Sequence, residues 1–198
     1  MDEAARCLGC KKPRCQAGCP IGTNIPEVIR LLKEGKLDEA GWMLFENNPL
    51  TTVCSLVCNH ESQCEGHCIR GIKEAPVHFS IIENYISTTY ANKMVKGPAP
   101  SNGRRAAVIG AGPAGLTIAI ILARYGYQMT IFDGRDKIGG VMRYGIPDFR
   151  LTDCCNLSSI AAHLPCNSHT MTSLHCKICL LYTSGSCLPA HGIPPCRL

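Results

Sequence analysis

Apolar positions follow three different regimes along the chain. Over residues 1–95 they recur at helical spacing. Thr23 or Asn24 can cap a helix with Pro26 in its first turn, and "EVIRLLKEG" carries it to Gly35. A second helix is predicted from about Lys36 to Glu46, stopping at "NNPL". Further on, "VHFSIIENYISTTYANKM" sets Phe79, Ile82, Tyr85, Ile86 and Tyr90 at helical intervals. "KGPAPSNG", residues 96–103, is rich in proline and glycine and reads as a linker. The period then switches. "RAAVIG" reads as a buried strand, "PAGLTIAIILARYG" as a helix, and "QMTIF" as a second strand ending at Asp133. Residues 104–150 therefore open as a βαβ unit of a doubly wound sheet. From 151 to 198 no period is sustained, and the segment reads as an irregular tail, unrelated or disordered.

Cysteine spacing adds chemistry to the first segment. "CLGCKKPRCQAGCP" carries Cys7, Cys10, Cys15 and Cys19, with Pro20 directly after. "CSLVCNHESQCEGHC" adds Cys54, Cys58, Cys64 and Cys68. Eight cysteines in two groups of four exceed one zinc site, and only Cys7 and Cys10 form the C-x2-C pair that zinc sites favour. His60 and His67 lie close by, but a helical surface accounts for them. Bacterial ferredoxins use a C-x2-C-x2-C-x3-C-P run whose fourth cysteine crosses to another cluster. The run here ends in the same C-x3-C-P with two more residues in the middle. By that logic Cys7, Cys10 and Cys15 hold one iron–sulfur cluster and Cys19 reaches a second. The tail's cysteines (154, 155, 166, 176, 179, 187 and 196) lack such order, and "CKIC" at 176–179 has no matching second pair.

Charge narrows the choice of ligand. The net charge is +5, yet residues 1–103 balance eleven basic against eleven acidic side chains. Residues 104–150 hold seven basic and three acidic, so an anionic ligand is expected there. No dense basic run or aromatic enrichment suggests nucleic acid. No segment approaches the ~20 apolar residues of a membrane helix. "MDEAARC" lacks a signal-peptide layout, which points to a reducing cytoplasm where clustered thiols hold metal.

"GAGPAG", Gly110–Gly115, supplies the anion site. Gly110 permits the turn after the strand, Gly112 lets backbone approach a pyrophosphate, and Gly115 lets helix and strand pack closely. Pro113 costs no hydrogen bond in the first helical turn. Asp133, at the end of the next strand, can accept bonds from ribose hydroxyls. The loop does not itself choose between FAD and NAD(P); the glycine pair at 139–140 leans towards FAD.

These pieces occur in a recognisable order. "EAARCLGCKKPRCQAGCP", "IPEVIRLLKEG", "NNPL", "VCSLVCNHESQCEGHC", "AVIGAGPAGL" and "GGVMRYGIPDFRL" make residues 3–151 resemble the small (β) subunit of NADPH-dependent glutamate synthase and its relatives. The amino-terminal part of dihydropyrimidine dehydrogenase shares the layout. The resemblance implies an α-helical domain (1–95) with two 4Fe–4S clusters, then the start of an α/β Rossmann-like FAD-binding domain (104–150). It implies that Cys7, Cys10, Cys15 and Cys68 hold one cluster, and that Cys19, Cys58, Cys64 and Glu83 hold the other. Glu83 has a plain alternative as a solvated helix residue, and Cys54 has no ligand role. For FAD the implied positions are Gly110, Ala111, Gly112, Pro113, Ala114 and Gly115, then Asp133 to Val141 (Gly140 among them), and Arg150. NADPH would reduce FAD, and electrons would leave through the clusters to a large subunit that makes glutamate, or to another acceptor. The match stops at Leu151, where the family continues into the rest of its FAD domain and an NADPH domain. The expectation is therefore a fragment that binds FAD weakly or not at all and is inactive alone; no catalytic acid or base is assigned. Competing expectations are a pyrimidine reductase, a ferredoxin-linked NADPH oxidoreductase component, or a non-catalytic zinc-bound interaction module.

Overall fold

The computed structural model describes residues 1–93, 99–135 and 137–152, together with the backbone of 176–181 and 187–188. The chain divides into two compact units, Met1–Lys93 and Met94–Leu198. Part of the expected linker (96–98), Asp136, and the tail cysteines at 154, 155, 166 and 196 lie outside the described residues.

The first unit is built from helices: α1 (Asp2–Ala5), α2 (Arg14–Ala17), α3 (Ile25–Lys33), α4 (Leu37–Asn47), α5 (Thr51–Val57) and α6 (Phe79–Lys93). Two short 3-10 turns, His60–Ser62 and Ile69–Ile72, lie between α5 and α6. Asn24 occupies the N-cap of α3 without a side-chain capping bond. Pro26 sits in the first turn, where an amide hydrogen would have no intrahelical partner. Glu27 near the start and Arg30 and Lys33 near the end suit the helix dipole. Gly35, with φ +74°, follows the helix and releases the chain into α4.

Apolar burial then joins the helices. Val28, Ile29 and Leu32 of α3 share one core with Ala40 and Leu44 of α4 and Phe79, Ile82 and Ile86 of α6. Each large aliphatic side chain hidden this way contributes about 1.5–3 kcal/mol. Helix α6 packs on both α4 and α5. Its start is fixed by carboxylates from elsewhere in the unit. Glu3 accepts the His78 N–H at 2.7 Å, and Glu65 accepts the Ser80 N–H at 2.8 Å. One expected core position fails: Tyr85 is 56 % exposed, whereas Phe79, Ile82, Ile86 and Tyr90 are buried. Six residues from Phe79 place Tyr85 about 120° around the helix, off the apolar stripe.

The core ends at thiols. Cys64 is buried within it, and Cys7, Cys15, Cys19 and Cys68 pack against it half-buried.

In the second unit β1 (Arg105–Ile109), α7 (Pro113–Arg124) and β2 (Gln128–Asp133) form the expected βαβ element, with Val108 opposite Ile131 in a parallel pair. Leu116, Ala119, Ile120 and Ala123 form the buried stripe of α7. A short helix, α8 (Val141–Tyr144), follows the glycine pair. Two expectations are corrected here. Strand β1 is not buried: Arg105, Ala107 and Ile109 are exposed, and Ile109 is 92 % accessible. Its main contacts are with β2 and α7, and burial alternates along the strand. The tail is not wholly irregular either. Cys176–Leu181 forms β3, parallel to β2 with Ile178 opposite Ile131, and Cys187–Leu188 forms β4, antiparallel to β3. The sheet order is β1-β2-β3-β4. The segment "CKICLL" is short and apolar but for Lys177, which suits a strand inserted beside another.

Candidate metal centre and nucleotide loop

Two neighbourhoods of sulfur emerge in the first unit. Cys7, Cys10, Cys15 and Cys68 line one cleft, together with Ile25, Ile29 and Phe79. Burial pushes the Cys15 thiol up to about 11, and the neighbouring charges of Cys68, Cys7 and Cys10 push in the same direction. The second neighbourhood gathers Cys19, Cys54, Cys58, Cys64 and Glu83. Burial raises Cys64 to about 12, with Glu65, Cys19 and Glu83 adding to it. Burial also raises Cys58, reinforced by Glu83 and Cys19. Cys64 lies between the groups, since it also lines the first cleft. All eight thiols are free of disulfides.

Local structure explains this sorting. Helix α2 carries Cys15 and ends at Gly18, so Cys19 lies in the turn beyond it and is free to reach a different neighbourhood. The Cys19 thiol sits 3.4 Å from the Thr23 hydroxyl and turns with the chain towards α3. Cys58 closes α5 and its thiol donates to Gln63 Oε1 at 3.0 Å. Gln63 and the 3-10 turn then return the chain so that Cys64 enters the core.

Glu83 is not a solvated helix residue. It is 6 % exposed, its Oε1 accepts the Thr51 hydroxyl at 2.6 Å, and its Oε2 lies 3.5 Å from His60 Nε2. His60 is buried as well, with Nδ1 3.0 Å from the Cys58 carbonyl. The hydrogen bond with Glu83 raises the imidazole above its ordinary range. The surface role expected for His60 is therefore corrected; it braces a buried carboxylate that faces three thiols. Sequence reasoning missed His60 and Thr51 in this role, because neither stands in a motif. Their only signal is proximity to Cys58 along the chain. His67, by contrast, is exposed.

Cys54 lies in the same neighbourhood. Burial raises its thiol to about 11, and it accepts a bond from Asn48 Nδ2 at 3.1 Å. Among the described residues no three His, Cys, Asp or Glu side chains converge as a single ion requires.

In the second unit Gly110 adopts φ +99°, and a side chain at Gly115 would strike the Gly110 carbonyl. Gly112 is different. Its φ of −80° is open to any residue, and a β-carbon there would meet only Gly140 Cα, at 4.0 Å. The space in front of α7 is thus an open cradle. Gly140 packs in return on Gly112, where its own β-carbon would come within 2.7 Å of Gly112 Cα. The Gly139 N–H donates to the Ala111 carbonyl at 2.9 Å and ties the two glycine segments together. Asp133 accepts the Ala111 N–H at 2.5 Å and the Arg135 N–H at 2.8 Å. Two oxygens offer about four acceptor positions, so the carboxylate keeps capacity for ribose hydroxyls. Ala111 is buried, Pro113 is half-buried in the first turn of α7, and Ala114, Val141 and Arg150 are exposed. The Arg135 guanidinium lies 4.6 Å above the Tyr144 ring.

This combination defines the class: a cysteine-rich helical domain followed by a Rossmann-like nucleotide fold. Residues 1–95 match the family model described as dihydropyrimidine dehydrogenase domain II, 4Fe–4S cluster, and residues 108–157 match the NAD(P)-binding Rossmann-like domain. The chain is a homologue of glutamate synthase (NADPH) small chains over about three-quarters of its length. It is 38 % identical to the Azospirillum brasilense small chain over 154 residues, 76 % of this chain and 32 % of that one. With the Escherichia coli K12 small chain it shares 39 % over 153 residues, 75 % of this chain and 32 % of the other. The Halomonas elongata small chain gives the same identity and coverage. The chain thus spans about a third of the length of the curated relatives it matches. No helix among the described residues is long and apolar enough to cross a membrane.

Proposed function

We propose that the chain holds two 4Fe–4S clusters and a dinucleotide, and forms part of an electron-transferring oxidoreductase. Cys7, Cys10, Cys15 and Cys68 are the ligands of one cluster; Cys19, Cys58, Cys64 and Glu83 are those of the other. The observation that carries this reading is the sorting of the thiols. Two runs of four along the sequence become two mixed neighbourhoods in space, with Cys68 joining the first run and Cys19 joining the second.

The donor sets fit the group. The thiols of Cys15, Cys58 and Cys64, raised by burial, need a cationic partner before they ionise, which iron supplies. Tetrahedral zinc would draw its sulfurs to within about 3.8 Å of one another. A four-iron cube holds its ligands at separate corners and suits thiols that share a cleft without meeting at a point. The cradle at Gly112 fits a pyrophosphate for the corresponding reason: the fold leaves that volume empty and faces it with the amino end of α7.

When bound, flavin and clusters would turn the two electrons of a hydride into single electrons. The protein's part is to position and insulate. Apolar residues such as Ile29 and Phe79 keep water from the first thiol group. Thr51 and His60 orient Glu83 at the second. Gly112, Gly140 and Asp133 seat FAD, and Val141 and Arg150 lie along the same segment. In the intact assembly the donor is NADPH, and the acceptor is a large subunit that makes glutamate in a reducing cytoplasm. The match to a NAD(P)-binding model favours a second reading, in which the loop seats the nicotinamide dinucleotide itself.

Anaerobically prepared protein should contain roughly eight iron and eight sulfide per chain, the content of two cubane clusters. It should be brown, and Cys15→Ser should halve the iron while leaving the second cluster's electron paramagnetic resonance signal. Stoichiometric zinc without sulfide would overturn the reading.

A further inference from the structure

Of the basic residues lining the two thiol clefts, Arg30 and Arg70 are paired and four form no ion pair among the described residues. Residues 7–33 contain five basic side chains and one acidic, although residues 1–103 as a whole are balanced. Arg30 is occupied by Glu27 and Glu34. Lys11, Lys12, Arg14 and Lys33 are all exposed, and none of them forms an ion pair among the described residues.

These four surround an apolar centre. Leu8 is 62 % exposed and lies between Cys7 and Cys10 in the chain. It is shared by two clefts, one lined also by Lys12 and Arg14 and the other by Lys11 and Lys33. Both clefts include Cys7 and Cys10 as well. The exposed centre is therefore one residue away from the first thiol group, and nothing in the unit covers it. An apolar centre with a charged rim is the anatomy of a protein interface. A rim of one sign selects a partner of the opposite sign and accelerates encounter.

We propose that this face, Leu8 within Lys11, Lys12, Arg14 and Lys33, docks an acidic electron-carrier protein. The assignment of a carrier rests on the cluster reading above; the assignment of an acidic partner rests on the charges alone. A rival account is that the lysines only offset the charge of the ligated thiolates. That account requires them to act on the cluster's potential, and it predicts no partner.

The test uses the full chain, prepared anaerobically, with an acidic plant-type 2Fe–2S ferredoxin as probe. Binding is followed by calorimetry, which needs no turnover. At 20 mM salt the ferredoxin should bind, and raising salt to 300 mM should weaken binding at least tenfold as the rim is screened. The double variant Lys11→Glu with Lys12→Glu should weaken it at least tenfold at low salt, with iron, sulfide and cluster potential as in the parent. Arg104→Glu, an equal charge change in the second unit, should alter it less than twofold. Basic cytochrome c should not bind. Salt-independent binding, no binding, equal loss in Arg104→Glu, or equal binding of cytochrome c would each overturn the docking face. Iron and sulfide are measured on the same samples. Full clusters with no ferredoxin binding defeat the docking face alone. Salt-dependent binding through Lys11 and Lys12 without iron or sulfide upholds the face and defeats the cluster reading.

Discussion

Gly112 and Gly140 touch each other, yet they answer to different constraints. Gly140 has φ +54° and would place a side chain against Gly112, so its requirement belongs to the fold. Gly112 has an ordinary backbone and open space beside it, so its requirement belongs to whatever fills that space. Gly112→Val should therefore leave the melting temperature of the second unit within about 4 °C, since surface changes free of strain stay within about 0.5 kcal/mol. Its affinity for FAD or NADPH, read by equilibrium dialysis, should fall at least tenfold. Unchanged affinity would show that the pyrophosphate does not lie over the loop. The loop, its three glycines and Asp133 were legible in the sequence because their spacing carries the geometry. The bracing of Glu83 by Thr51 and His60 was not, because the three residues are brought together only by the packing of α5 and the 3-10 turn on α6. The carboxylate could be named from resemblance, while its burial and its partners needed coordinates.

Helices α4 and α6 show how packing overrides local preference. Gly41 lies in the middle of α4, where glycine costs about 1 kcal/mol relative to alanine. On helix propensity alone Gly41→Ala should stabilise. A β-carbon there, however, would collide with the ring of Tyr90 on α6, and Tyr90 is itself buried. Overpacking of this kind costs about 1–3 kcal/mol, so the clash outweighs the gain. Gly41→Ala should lower the stability of the first unit, measured as a urea midpoint, and Tyr90→Leu should not rescue it, because leucine keeps the Cβ and Cγ that the new methyl would strike. A more stable single variant would mean that α6 can move away at little cost. The sequence predicted α3, α4, α6, α7 and β2 to within a few residues, since each carries a clear period. It placed β1 wrongly inside because "AAVI" reads the same whether one face of a strand is covered or both. Short α1, α2 and α8 have too few residues for a period to show.

At the scale of the whole molecule the chain separates its two chemistries into two units, and the tail's contribution belongs to the second. Strand β3 extends the sheet beyond β2 and aligns Thr130 with Lys177 and Ile131 with Ile178. Nothing in the charge or spacing of residues 151–198 announced it, because so short a segment, apolar but for Lys177, gains its meaning only from a neighbouring strand. In a strand successive N–H groups point to opposite sides, so of Lys177 and Ile178 one faces β2 and the other faces away. Proline substituted at each in turn removes one N–H. The variant that loses the bond to β2 should cost about 1–3 kcal/mol. That corresponds to a fall of roughly 4–8 °C per kcal/mol in the melting of a small unit. The other proline should cost less, and the contrast between them is the signature of β3. Iron content and the thermal loss of cluster absorbance should be the same in both variants as in the parent, because the eight clustered thiols and their core lie within Met1–Lys93. Two prolines with no effect on the second unit would remove β3 from the sheet. A loss of iron in either would show that the two units do not stand independently.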